Sequence, residues 1–146
     1  MPLDWLALRA DTIEALEHGV RETDHFDTVF VGDETFSNIE YPAAQIYPVN
    51  SSRSGGNKYE HRTEVSLIFR RDRGDDYIDD ILHPMAYVIR ECLAALSRTE
   101  SLIEYYPNEI EDFVGELGGT GVVVLTIRWV TTTDADFAET SPNDYA

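Results

Sequence analysis

The segment YEHRTEVSLIFR, residues 59–70, constrains the fold more than any other part of the chain. His61, Thr63, Val65, Leu67 and Phe69 fall on one side of an extended backbone. Arg62, Glu64, Ser66, Ile68 and Arg70 fall on the other. A period of two is a strand period, and one apolar face requires a second layer to cover it. The stretch before it, YPAAQIYPV, is apolar but carries Pro42 and Pro48. Proline cannot donate to a strand ladder, so a strand here is an edge or irregular one. Together 43–49 and 59–70 predict a long hairpin. Its tip, NSSRSGGNK at 50–58, is polar and Gly/Ser-rich, the composition of a flexible loop.

The cover for that strand comes from two helical patterns. In residues 3–20 Leu6, Ala10, Ile13, Leu16 and Val20 share a face, and Gly19 stands where a C-terminal cap is expected. In 75–97 Ile78, Ile81, Leu82, Met85, Ile89, Cys92, Leu93 and Leu96 form one stripe. Asp75, Asp76, Asp79 and Asp80 crowd its start, matching the helix dipole, and Pro84 should begin or kink the main helix. HFDTVFV within 24–33, SLIEYY at 101–106 and GVVVLTIRWVTT at 121–132 predict three more strands. Pro107 and an acidic run ending in GGTG predict a connection of about 14 residues between the last two. The order α-β-β-β-α-β-β implies an α+β fold: a mostly antiparallel sheet of four to five strands, with two helices on one face. Residues 1–132 form one domain in this reading, and the polar, acidic segment 133–146 is a flexible tail.

Leu, Ile, Val and Phe number 38 of 146, enough for a core. Eleven basic residues face 28 acidic ones, a formal net charge of −17. That balance argues against phosphate-backbone binding and against anionic membrane surfaces, both of which need clustered cations. The acidic N-terminus predicts no secretory signal, and no apolar run is long enough to span a membrane as a helix. Ten of the eleven basic residues are arginine; Lys58 is the only lysine. A carboxylate-rich surface nearly cleared of lysine stays soluble when multi-molar salt screens its self-repulsion, which points to a salt-in halophile or its virus.

Signatures of catalysis are lacking in the sequence. The run DRGDDYIDD lacks the spacing and terminal glutamate of a calcium loop. His18, His25, His61 and His83 have no zinc-ligand spacing, and a lone Cys92 inside an apolar stripe predicts a buried thiol. Neither SGG at 54–56 nor GGTG at 118–121 has the frame of a nucleophile elbow or a phosphate loop, so both are expected to be turns. The expectation is therefore a non-enzyme with no catalytic residue, metal or cofactor. Asn50-Ser51-Ser52 fits the glycan acceptor triplet, a frequent chance match.

Cations cluster once, as Arg53, Lys58, Arg62, Arg70, Arg71 and Arg73 in the hairpin and its exit. Either they pair with neighbouring acids internally, or they form a contact with an acidic patch on another subunit or partner. Tyr105, Tyr106 and Trp129 are expected to be exposed aromatics, a feature that suits an assembly subunit.

This layout resembles the tail terminator proteins of tailed viruses. The likeness runs from LDWLALRADTIEALEHGV through YPAAQIYPV, HRTEVSLIFRR and DDYIDDILHPMAYVIRECLAALS to VVVLTIRWVTTT, over about residues 3–132. It implies a homo-hexameric ring that caps the tail tube. Such a ring binds the major tail tube protein on one side and a head-closure or neck protein on the other. DNA would pass through its channel without specific binding, and no catalytic residues carry over. With the halophilic composition, the resemblance implies a haloarchaeal virus, with the protein in the virion and, during assembly, in the host cytoplasm. In such a ring Arg62, Arg70 and Arg71 would meet acids of the next subunit. The alternatives are a head-closure, adaptor or minor tail subunit and, in another class, a small halophilic enzyme or ligand-binding domain.

Overall fold

A computed structural model describes residues 4–32, 40–70, 77–117 and 120–134, with backbone only at 4–7, 116–117 and 120. Helix α1 spans Asp4–Glu22, and strands β1 (Thr28–Val31), β2 (Ala43–Gly55) and β3 (Lys58–Arg70) follow. Helix α2 spans His83–Ser97 after a wider π turn at Ile78–Leu82, and β4 (Leu102–Leu117) and β5 (Thr120–Asp134) close the chain. The five strands make one sheet in the order β1-β2-β3-β5-β4. Only β1 and β2 run parallel; the other three pairings are antiparallel. The fold is thus α+β with two helices, as the pattern of elements implies.

Both helices cover one face of the sheet. From β3 that face presents Val65, Leu67 and Phe69, and from β5 Val123, Leu125, Ile127 and Trp129. Against them pack Leu16 and Val20 of α1 and Val88, Cys92 and Leu96 of α2. The opposite face has no helix over it among the described residues.

The alternation in 59–70 holds as predicted, but four local expectations do not. First, the Gly/Ser tract is not a loop. β2 continues to Gly55 and β3 begins at Lys58, so only Gly56 and Asn57 turn the chain. Gly55 and Gly56 supply positive φ values of 136° and 56°, which L side chains rarely adopt. Second, the acidic run after Pro107 is strand, paired up to Leu117 opposite Thr120. Third, β5 runs on through Thr133 and Asp134, so the sheet outlasts the expected domain end at 132. Residues 135–146, the rest of the expected tail, lie outside the described residues.

The fourth concerns α1. Its buried side is Leu8, Thr12, Ala15, Leu16, Gly19 and Val20, whereas Ala10 is exposed. Gly19 is therefore not a cap but a contact: a Cβ there would lie 2.6 Å from Cys92 Cα and 2.8 Å from Cys92 N. The two helix backbones cross at this point, closer than any side chain permits. The chain instead leaves α1 at Asp24, whose φ of 50° is left-handed. Pro84 is the second residue of α2, just where the π turn of Ile78–Leu82 passes into α-helix, the kind of place where an interior proline is accommodated.

Pro48 shows why a proline is tolerated in β2. Among the described residues β1 pairs only with Ala43–Ile46, so from Tyr47 onward β2 is their sheet edge. A register shift follows between Pro48 and Asn50.

Candidate subunit interface

The two edges of the sheet stand out because each outer strand is buried at one end, at Ala43, Ala44 and Ile46 of β2 and Leu102 of β4, and exposed along the rest. Ten large hydrophobic side chains are exposed among the described residues, and eight of them lie on β1, β2 or β4. On the β4 margin these are Ile103, Tyr106, Ile110, Phe113 and Val114; on the β1/β2 margin, Val31, Tyr47 and Val49. Phe113 and Val114 are 55% and 59% exposed, whereas Val123 and Leu125, one strand inward, are fully buried. A long open strand edge bearing apolar groups is a template for another chain unless it is covered.

The margins differ in charge. β4 carries Glu104, Glu109, Glu111, Asp112 and Glu116 and no basic residue. The β2–β3 tip carries Arg53, Lys58 and Arg62, all exposed. Arg62 pairs with Glu60 at 2.9 Å, and Arg53 Nε donates to the Gly56 carbonyl at 2.6 Å, a bond that braces the turn. These pairs are solvent-exposed, so each contributes little to stability and leaves the cations available to a partner.

The six predicted cations do not form one patch. Arg53, Lys58 and Arg62 share the tip, but Arg70 ends the other end of β3, about 26 Å from Arg62 at strand rise. Its guanidinium lies 5.1 Å above the Tyr41 ring. Arg71 and Arg73 lie outside the described residues. Of the aromatics expected to be exposed, Tyr106 is, Tyr105 is half-buried, and Trp129 is buried completely. Trp129 packs in the core under the helices, and its indole N–H finds no acceptor among the described residues.

Arg128 was not singled out by the sequence. It stands on the open face among Glu109 (2.8 Å), Glu111 (2.7 Å) and Glu64 (3.9 Å). The Glu109 hydrogen bond, with the three carboxylate charges, raises its pKa above the ordinary guanidinium value. One arginine thus ties the outer strand β4 to the centre of the sheet. A pocket of about 200 Å³ is lined by Arg128 itself with Val49, Arg62, Thr63, Glu64 and Asn108.

Among the described residues two titratable groups lie inside the fold, His61 and Cys92. His61 is buried, with Nδ1 2.8 Å from Ser51 Oγ and Nε2 2.7 Å from Thr133 Oγ1. Burial, and secondarily the Arg9 charge, lower its pKa to about 4. Burial pushes the Cys92 thiol up to about 12, with a smaller push from Glu91, and its Sγ lies 3.7 Å from the Leu16 carbonyl oxygen. A thiol held protonated is a poor nucleophile. Among the described residues no group of three or more His, Cys, Asp or Glu is placed to hold a metal ion. An open cleft of about 410 Å³ lies by His25, Tyr41, Phe69 and Arg70, with Asp79 and Asp80 at its wall. No protein-family model matches the sequence, and no curated protein is significantly similar to it.

Proposed function

We propose that this chain is a structural, non-enzymatic assembly subunit that forms a ring, and that the ring is the terminator capping a viral tail tube at the neck. The observation that carries the reading is the placement, among the described residues, of eight of the ten exposed large hydrophobics on the two opposite edges of one sheet. A subunit with two different sticky margins associates head to tail, and such association closes into a ring when the rotation from copy to copy returns to the start. The likeness in element order to tail terminators, set out above, adds the tail and the hexamer to that reading. The surplus of carboxylates fits a channel that passes DNA without holding it, since like charges repel phosphates. The near absence of lysine fits a haloarchaeal host, with the subunit residing in the virion.

The test is the native mass in multi-molar KCl, by light scattering on a sizing column. A hexamer of the 16.6 kDa chain, about 100 kDa, is expected. A monomer at every concentration would contradict the ring. The preformed ring should then bind purified tail tubes and stop their growth. Binding to the portal side alone would make it a head-closure or adaptor subunit instead.

A further inference from the structure

Resting on that ring reading, we infer that the ring contact is β4 of one copy set directly against the β1/β2 margin of the next, at the same height along the strands. Reading the register across the sheet puts the two margins on a common scale. Val31 is level with Ile46, Val65, Ile127 and Ile110 in turn. Asn50, next to Val49, is level with Arg62, Val130 and Tyr106. Arg53 is level with Tyr59, Thr133 and Leu102, two residues from Glu104. Val31 therefore has Ile110 at its own height and Val49 has Tyr106 within one residue, whereas Tyr47 falls level with Glu109, beside Ile110, and Phe113 falls level with Thr28. The basic residue likewise falls level with an acidic one.

Strand direction agrees. β1 and β2 both run opposite to β4, so a neighbour in the same orientation presents an antiparallel partner. A repeat that needs rotation but no shift along the strands closes into a ring, whereas an axial shift would build a helical filament. The rival contact, β4 against β4 in a twofold dimer, would bring together two strands that each carry five acids and no base. Pro48 and Pro107 interrupt main-chain pairing on the two margins, so side chains carry much of the contact.

The test uses the full chain with cysteines at Val31→Cys and Ile110→Cys, both exposed sites, and Cys92 left buried. Directly opposed strand positions have Cβ atoms at disulfide distance. Oxidation in multi-molar KCl should give a ladder of covalent multimers on a non-reducing gel, ending at the size of the native ring. Neither single variant should cross-link. Cross-linked dimers from Ile110→Cys alone would replace this contact with the twofold one. A native mass that stays oligomeric while the double variant fails to cross-link would overturn the contact and leave the ring standing. A wild-type protein that is monomeric at every concentration would remove both. Circular dichroism and the melting midpoint of each variant establish that it is folded.

Discussion

The β2–β3 and β4–β5 hairpins have arms of similar length but opposite character. Each contributes one inner strand, β3 or β5, whose alternating apolar face is sealed under the helices. The outer arms diverge: β2 is shielded over Ala43–Ile46 by β1 and its exposed remainder is short and partly cationic, whereas β4 is long, acidic and without an outer partner strand among the described residues. The difference shows that position relative to the helix layer, rather than hydrophobicity alone, decides what a residue does. Val123 and Val114 face each other across one rung; the first is core and the second is surface.

Shortening a side chain on each side of that boundary gives the largest expected contrast. Leu125→Ala, within the covered strip, should cost about 2–5 kcal/mol of unfolding free energy in urea titrations. Val114→Ala should stay within about 0.5 kcal/mol. Equal losses would mean that the β4 margin is packed in the isolated chain, and the division into core and margin would fail.

The helix layer itself is pinned at Gly19. Gly19→Ala should destabilise by about 2–3 kcal/mol, because the methyl meets the Cys92 backbone and outweighs the usual helix gain of alanine. A higher melting midpoint for that variant would show that α1 and α2 do not cross so closely.

Acid distinguishes the two hairpins next. His61 joins the β2–β3 tip to β5 as a neutral ring, with a folded-state pKa of about 4 against 6.5 when unfolded. Between those values the unfolded chain binds more protons, so this contribution to stability is complete above about pH 6.5 and falls as pH drops towards 4. The expected loss is on the order of 3 kcal/mol. His61→Gln should flatten the melting-midpoint profile over that window relative to wild type. An unchanged slope would place the titration elsewhere.

The smallest effect on folding should be the most telling for assembly. Arg53→Glu, at the exposed tip, should leave the melting midpoint within a degree or two by the size of surface effects. It should nonetheless weaken association several-fold, and Glu104→Arg in the same chain should restore it. Failure of that restoration would separate the charges from the contact.

Residues 59–70 were legible in the sequence because that strand has one buried and one open face, which writes a period of two. The strand segments 50–55 and 107–117 were not, since both faces of each are solvated over most of their length and no alternation is needed. Their pairing comes from a partner strand that composition does not reveal. In α1 the stripe was misplaced because Thr12 and Gly19, which carry the buried side, count as polar or neutral. Thr12 is buried with its hydroxyl 3.1 Å from that of Thr131, and Gly19 serves by lacking a side chain. Trp129, expected to be exposed, is buried, and so are the threonines at 131–133 that follow it. The cationic hairpin was visible as a cluster in sequence, but the split between its tip and Arg70 follows from strand length. The complementary margins depend on the order β1-β2-β3-β5-β4, which no local pattern encodes.

Imaging the wild-type protein by electron cryomicroscopy in multi-molar KCl tests the ring most directly. Closed rings with a central channel, in which each sheet abuts the next through β4 and the β1/β2 margin, are the predicted result. Isolated subunits, twofold dimers joined through β4, or open filaments would contradict it.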